Sequence, residues 1–358
     1  MRRLLFVQET GISPRQCLAS TAFMMEAVGK GRTQGAPFLK LSLPEGEAVV
    51  LGRYQKAGSA VRRDVCKSRN LTLLRRLTGG TTALLGKDRL HLSLVLPDRA
   101  SPLECEPRQF LQRYGAGLIR GLVQAGLKAR YFGKDLVSVE DRPLGLMSFE
   151  IAPDGTALLE AIVGLRQPWW PDTELSGYPP RSKDDSAVAA PTLIGDELTE
   201  LNDDRLIAGL QEAVVDLLDL EVERREFSAL EAERIKSLSH RVEVPEDPAE
   251  PTPQYLKPWS SRPIEEAIGF VEATVRLTQG RFLRDVGIHG DFMADSGGMD
   301  ELQDRLKMVP VKRRPVALVI DDVLGAPEHV IMGIRRLGSI LEAILDASKQ
   351  GSEESGKA

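Results

Sequence analysis

The sequence predicts a protein of the α+β class, and three observations support this. Short apolar runs bounded by turn residues recur along the chain, as at 71–74, 90–97 and 157–165, which is typical of buried strands. A longer stretch, 105–126, places apolar residues at helical spacing. A proline-rich stretch, 242–258, then separates a second set of strands and helices from the first.

The chain of 358 residues is long enough for one large domain and a smaller one. The stretch VEVPEDPAEPTPQYLKP holds five prolines and four acidic residues, which is typical of a linker. We therefore predict a first domain over 1–241, a linker over 242–261, a small accessory domain over 262–348 and a disordered tail over 349–358.

Composition excludes several classes of function. The formal net charge of −5 argues against a general nucleic-acid binder, which is usually basic. The three cysteines (Cys17, Cys66 and Cys105) give no disulfide framework, and the four histidines are scattered, so we expect no metal site. No apolar run approaches the length of a membrane span. We expect a cytoplasmic monomer without a membrane partner.

The stretch from Leu73 to Pro97 organises the chain. A short apolar strand ends at Arg75-Arg76, Thr78-Gly79-Gly80 follow, and a second strand begins at Leu90. Glycine lets a ligand approach the backbone N–H groups closely, and arginine offers a planar fork of donors for phosphate or carboxylate. The alternative is a tight hairpin with two solvated arginines.

The sequence Arg75-Arg76-Leu77-Thr78-Gly79-Gly80 resembles the RRxTGGG loop of the lipoate–protein ligase and octanoyltransferase family. The preceding Gly52-Arg53-Tyr54-Gln55 resembles that family's Gly-Arg-x-Gln turn. The resemblance implies the biotin/lipoate ligase catalytic fold, a mixed and mostly antiparallel sheet with packed helices. It also implies an enzyme that activates lipoate or octanoate to acyl-AMP with ATP and Mg²⁺, and then transfers the acyl group to a lysine.

The resemblance implies roles for individual residues. The acceptor lysine would lie on a lipoyl carrier domain of the 2-oxoacid dehydrogenase or glycine-cleavage type. Catalysis is assigned to Arg142, which stands where relatives carry a lysine. The residues assigned to ATP or acyl-adenylate are Arg76, Thr78, Gly79, Gly80, Thr81 and Lys183, and those assigned to the acyl substrate are Leu84, Ser93, Asp135 and Gly145. Strand residues Leu74, Leu84, Leu92 and Leu94 would line an apolar tunnel for the acyl tail.

The sequence departs from the family pattern at several positions. Thr81 replaces the third glycine, Leu85 and Gly86 replace a histidine and an aspartate, and Glu160-Ala161 replaces a His-Gly pair. These changes favour a first alternative, a non-catalytic homologue that binds a carrier domain or a ligand. An octanoyltransferase that works through a cysteine thioester is a second, but its cysteine lies late in the domain and none follows Cys105 here. A biotin ligase is the most distant alternative.

Overall fold

A computed structural model of the protein describes residues 3–97, 105–131, 135–181, 190–245, 258–278 and 282–355. The part before residue 246 contains β1 (Arg3–Thr10), α1 (Pro14–Gly29), β2 (Phe38–Leu43), β3 (Glu47–Leu51), α2 (Ala57–Ala60), α3 (Arg63–Ser68), β4 (Thr72–Arg75), β5 (Ala83–Gly86), β6 (Arg89–Leu96), α4 (Phe110–Gln124), β7 (Ala129–Tyr131), β8 (Leu136–Val139), β9 (Arg142–Ile151), β10 (Ala157–Gly164), α5 (Ile194–Glu197), α6 (Asp203–Leu218), β11 (Glu221–Arg224) and α7 (Ala229–Leu238).

The main sheet has eight strands in the order β11-β1-β2-β6-β10-β9-β8-β7. β1 runs parallel to β2 and to β11, and the other neighbouring strands of this sheet are antiparallel. The predicted α+β class, with a mixed and mostly antiparallel sheet, is therefore confirmed.

The two faces of the main sheet are covered by different helices. Helices α4 and α6 pack on one face, where Leu92, Leu94 and Phe149 lie in a large apolar core. Helix α1 covers the other face, and there it meets polar side chains of β2 and β6. Ser13 caps α1 by accepting a hydrogen bond from the Gln16 N–H group.

A smaller sheet holds the arginine–glycine loop. Its order is β4-β3-β5, with β3 parallel to β4 and antiparallel to β5. The loop at 76–82 joins the two outer strands, so both of its ends are held by hydrogen bonds to the same central strand.

The C-terminal segment, residues 258–278 and 282–355, has its own sheet and core. It contains β12 (Trp259–Ser260), β13 (Ile264–Glu265), β14 (Phe270–Thr278), β15 (Phe282–Gly290), β16 (Met293–Ala294), α8 (Ser296–Leu306), α9 (Arg313–Leu324), β17 (Ile331–Met332) and α10 (Gly338–Ser355). β14 pairs with β12, β13 and β15, and the helices bury apolar side chains against this sheet. The division of the chain into domains stays a prediction, and most of the proline-rich stretch lies outside the described residues.

Three local features of the structure were not among the predictions made from sequence. Residues 221–224, a charged stretch, form the edge strand β11, because they hydrogen-bond to β1. Helix α9 was not expected. Helix α10 continues through Ser355, where we expected a disordered tail from residue 349. The reason is packing, since Gly351 is buried and lies against the Trp259 ring.

Candidate functional site

The loop at 76–82 is folded around one buried guanidinium. Arg76 donates to the carbonyl oxygens of Gly79 at 2.5 Å and Thr81 at 2.8 Å. Its Nε atom donates to the Thr78 hydroxyl oxygen at 3.1 Å. Arg76 is 1% exposed, and burial lowers its pKa to about 10. The guanidinium therefore shapes the loop from within.

The resemblance assigned Arg76 to ATP or acyl-adenylate, and that role stays a prediction. A cation that binds phosphate must face the ligand, whereas this guanidinium faces carbonyl oxygens of its own loop. The physical reason is that buried backbone carbonyls need donors, and one arginine satisfies several of them. Arg75 acts similarly, since it donates to three carbonyl oxygens of the turn at 52–55.

The two loop glycines lie against the C-terminal segment. The Gly80 N–H group donates to the Phe292 carbonyl oxygen at 2.9 Å. A Cβ atom at Gly79 would lie 2.4 Å from the same oxygen and 2.7 Å from the Met293 Cα atom, so no larger residue fits there. The Phe292 ring in turn stacks on Tyr54 with a centroid distance of 4.9 Å. We call this contact between the loop and residues 290–296 the seam.

Two other residues assigned from the resemblance meet at the far end of the loop. The Thr81 hydroxyl donates to the Asp135 carboxylate at 3.2 Å. Asp135 is buried. The structure thus places Asp135 beside the loop, and a role for either residue in binding a ligand stays a prediction.

A chain of buried polar side chains runs from the loop to helix α1. The Thr78 hydroxyl donates to one Glu160 oxygen at 2.7 Å. The other Glu160 oxygen lies 3.1 Å from His91 Nε2, and His91 Nδ1 lies 3.3 Å from Cys17 Sγ. Cys17, His91 and Glu160 are each 0% exposed. The arrangement is that of a thiol, a base and an orienting carboxylate, sealed from solvent.

Burial and neighbouring charges act in opposite directions on the pKa values of Cys17 and His91. Burial raises the pKa of the Cys17 thiol, but the charges of His91 and Lys40 outweigh burial, so the thiol pKa is lowered. Burial lowers the pKa of His91, but the contacts with Cys17 and Glu160 outweigh it and raise the pKa to about 9. Cys17 and His91 therefore each shift the pKa of the other toward its charged form, and Lys40 lies beside them.

Ser93 belongs to the same buried network. Its hydroxyl shares a hydrogen bond with Thr21 at 2.8 Å. The Lys40 ammonium donates to Thr21 at 2.9 Å and to Ser20 at 2.7 Å, and lies 3.5 Å from Glu9. Ser93 was assigned to substrate binding, whereas its observed partners are side chains of this protein.

The remaining assigned residues lie apart from the loop. Arg142 begins β9 and donates to Glu197 of α5, whose carboxylate also accepts from Thr192. Gly145 pairs with β8 and β10 inside the main sheet. Lys183 lies outside the described residues. The carboxylate partner of Arg142 offsets its charge, and the role of Arg142 in catalysis stays a prediction.

The expected apolar tunnel is not formed by the residues that we assigned to it. Leu74 packs beneath α1, Leu84 packs against β3 and the helix α2, and Leu92 and Leu94 face α4 and α6. Because side chains alternate along a strand, Leu92 and Leu94 must face away from Ser93. The four leucines therefore belong to three separate cores.

Two departures from the family pattern have structural reasons. Leu85, at the position of the family's histidine, is 0% exposed and packs among apolar residues beneath α1. A Cβ atom at Gly86 would lie 2.1 Å from the Gly46 carbonyl oxygen, so an aspartate does not fit there. The antiparallel pairing of β3 with β5 thus leaves no room for the aspartate and places Leu85 in an apolar environment.

Sequence reasoning missed two residues of β9 beside the loop. The Ser148 hydroxyl shares a hydrogen bond with Thr78 at 2.7 Å. Glu150 lies on the same face of β9, is 2% exposed, and has a pKa raised to about 7 because burial disfavours its charge. The signal was the alternation of apolar and polar residues in Met147-Ser148-Phe149-Glu150-Ile151.

The described residues hold no group of three or more His, Cys, Asp or Glu side chains placed to bind a metal ion. Over the same part of the chain, each helix is too short or too polar to cross a membrane.

The mixed eight-stranded sheet, the helices on its two faces and the glycine loop between two strands form the fold of solved lipoate–protein ligases. The family model of the lipoyl protein ligase A/B catalytic domain matches residues 13–149, the part of the chain that holds the loop. The resemblance seen in the loop sequence is thereby confirmed.

Two curated proteins are similar to part of the chain. The octanoyltransferase LipM of Exiguobacterium sp. (strain ATCC BAA-1283 / AT1b) is 29% identical over 119 residues, which cover 33% of this chain and 42% of LipM. LipM of Exiguobacterium sibiricum is 26% identical over 140 residues, which cover 38% of this chain and 49% of that protein. The matched region thus spans less than half the length of these relatives.

Solved structures share the fold at low identity. P. falciparum LipL1, solved in complex with lipoate, has a TM-score of 0.69 at 12% identity, covering 96% of this chain and 99% of LipL1. A bi-partite lipoate protein ligase from Thermoplasma acidophilum, solved in a study of the ligase and its E2 lipoyl domain, has a TM-score of 0.54 at 18% identity, covering 67% and 93%. Lipoate-protein ligase A bound with ATP has a TM-score of 0.55 at 17% identity, covering 67% and 95%. These likenesses establish the fold.

Proposed function

We propose that this protein is a lipoate–protein ligase-like enzyme, which uses ATP with Mg²⁺ to activate lipoate or octanoate and transfers the acyl group to a lysine of a lipoyl carrier domain. The observation that carries the proposal is the loop at 76–82, which lies within the region matched by the family model. LipL1 with lipoate and lipoate-protein ligase A with ATP share this fold and support the choice of substrates. The T. acidophilum ligase and its E2 lipoyl domain support the choice of acceptor.

The loop offers backbone donors rather than side-chain cations. The Gly80 N–H group is held by one carbonyl oxygen, which an anionic ligand would replace. Arg53 lies beside the loop, because its backbone N–H group donates to the Thr78 carbonyl oxygen, and its side chain is 36% exposed. Backbone donors together with one partly exposed cation suit a negatively charged acyl phosphate.

A second candidate is a non-catalytic homologue that binds a carrier domain. The observation that favours it is the engagement of Arg76 by its own loop, together with the loss of the polar pair at Leu85 and Gly86. If the protein is such a homologue, the contact at the seam occupies the backbone groups of the loop and keeps a nucleotide from binding there.

The deciding experiment is ATP–pyrophosphate exchange with lipoate, octanoate or no acid, followed by mass spectrometry of a lipoyl domain. Exchange that depends on either acid supports the ligase. Gly79→Ala should abolish that exchange because it disrupts the loop, whereas Gly209→Ala, on a helix with open space around it, is the matched control. Silence with both acids, together with measurable binding of the lipoyl domain, supports the non-catalytic homologue. Acylation from an octanoyl thioester without ATP would instead indicate an octanoyltransferase.

A further inference from the structure

The C-terminal segment has a surface cavity of about 320 Å³ that the proposed function does not use. The cavity forms where the residues before β13, the first turn of α9 and the middle of α10 come together. Three cationic, two acidic and two aliphatic side chains line it, and none of them belongs to the seam. The charges around this cavity therefore need an explanation of their own.

The three cationic side chains of the cavity have no carboxylate partner. They are Arg262, Arg313 and Lys349, and among the described residues no Asp or Glu forms an ion pair with any of them. Other cations of the same segment are paired, as Arg305 is with Asp322 and Lys307 is with Asp304. Like charges around one cavity repel each other, so an anion placed between them is attracted by all three.

The two carboxylates of the cavity already have hydrogen-bond donors of this protein. Asp346 accepts a hydrogen bond from the Arg262 backbone N–H group at 3.0 Å. The two oxygens of Glu342 lie 3.3 Å and 3.4 Å from Arg336, a cation that does not line the cavity. Because these donors offset part of the negative charge, the three cations determine the sign of the ligand that the cavity attracts.

The start of α9 adds backbone donors to the same place. This helix has 12 residues, no side chain caps its N-terminus, and its first turn holds no acidic residue. The N–H groups at the start of a helix lack partners within the helix and lie at the positive end of its dipole, so they attract anions. Arg313 is the first residue of α9 and lines the cavity, so these donors lie beside the cationic side chains.

We propose that this cavity binds a small organic phosphate. The phosphate group contacts the cavity's two arginines and its lysine, and the apolar part of the ligand lies on the half-buried side chains of Ile264 and Leu345. A phosphate has three oxygens that accept charge-assisted hydrogen bonds, and the planar fork of arginine matches it. The volume falls in the range of small-molecule sites and leaves room for more than the phosphate group. The inference goes beyond the proposed function, because it concerns a second site.

The test measures the binding of phenyl phosphate, a phosphate joined to an apolar ring, to the full-length protein by calorimetry at low salt. Arg313→Gln removes a cation of the cavity. Arg314→Gln is the matched control, because it removes the same charge from the next residue of α9, which is exposed and does not line the cavity. We expect Arg313→Gln to weaken binding about tenfold or more, and Arg314→Gln to stay within about twofold of wild type. Inorganic phosphate, which lacks the ring, should bind about fivefold or more weakly than phenyl phosphate.

Hydrogen–deuterium exchange then locates the bound phenyl phosphate. We expect slower exchange in peptides that cover the start of α9, and slower exchange only in peptides that cover 76–82 would place the ligand at the loop and overturn the inference. It is also overturned if both arginine variants weaken binding equally, if inorganic phosphate binds as tightly as phenyl phosphate, or if wild type shows no binding at about 10 mM. None of these measurements depends on ATP–pyrophosphate exchange, so failure here and failure of the proposed function are distinguishable.

Discussion

Replacing Glu150 by glutamine should stabilise the protein, and increasingly so as the pH rises. The pKa of Glu150 is raised from an ordinary value of 4.5 to about 7 because the carboxyl group is buried. The folded state therefore holds a proton that the unfolded state loses between pH 4.5 and 7, and stability falls across this window. The difference between a pKa of 4.5 in the unfolded state and about 7 in the folded state corresponds to about 3 kcal/mol of lost stability above pH 7. Glutamine has nearly the same shape as glutamate but carries no charge, so the Glu150→Gln variant should not lose this stability.

The measurement is the free energy of unfolding in urea at pH 5 and pH 8. Between these values we expect the advantage of Glu150→Gln over wild type to grow by about 2–3 kcal/mol. Wild type should lose further stability over the same range because burial also raises the pKa of Asp291 to about 7, and comparison with the variant isolates Glu150. Glu272 is equally buried but accepts hydrogen bonds from Ser59 and Tyr178, so Glu272→Gln should instead destabilise by about 1–3 kcal/mol at pH 8. The reasoning is refuted if the two glutamine variants behave alike, or if the advantage is equal at both pH values.

Four further predictions follow from the geometry. Gly79→Ala should destabilise the protein by about 1–3 kcal/mol, because the added methyl group clashes with the seam. Gly209→Ala, with no neighbour within 4 Å, should stabilise the protein by up to about 1 kcal/mol. Thermal denaturation in which Gly79→Ala is not the less stable of the two variants would contradict this reasoning. Arg76→Lys should cost about 2–4 kcal/mol in urea unfolding, since it removes several charge-assisted hydrogen bonds, and an unchanged midpoint would show that the guanidinium is dispensable. Arg142→Ala should slow acyl transfer about tenfold to a thousandfold if Arg142 replaces the family's lysine. An unchanged rate would mean that Arg142 only forms a half-exposed ion pair with Glu197. Limited proteolysis should cut within 242–258 and leave a fragment near 1–240, and cleavage inside 70–165 would contradict the domain division.

Part of the fold could be predicted from sequence because it depends on signals between residues that are close together in the chain. Ser13 and Pro14 mark the start of α1 because a cap and a first-turn proline are short-range signals. The strands of the main sheet follow from apolar runs, and the loop at 76–82 follows from arginine and glycine between two of them. Each of these depends on residues close together in the chain.

The directions in which side chains point, and the groups that they contact, could not be predicted from sequence. Arg76 turns inward because carbonyl oxygens of the folded loop need donors, and that need exists only once the loop has formed. Arg142 meets Glu197, and Glu160 meets His91, across long separations in the chain. Alternation in β9 signals that Glu150 shares a face with Ser148, but only the packed structure shows that its carboxylate is buried.

The polar face beneath α1 also has a consequence for how the strands find their partners during folding. β6 is buried on both sides, with leucines toward α4 and α6 and with His91 and Ser93 toward α1. A slip of one residue against β10 would move His91 away from Glu160 into the apolar core and leave both groups without partners. Burying such groups unpaired costs several kcal/mol each. The buried polar network therefore favours a single register of β6 against β10. A β6 strand with two purely apolar faces would distinguish less strongly between the correct register and a shifted one.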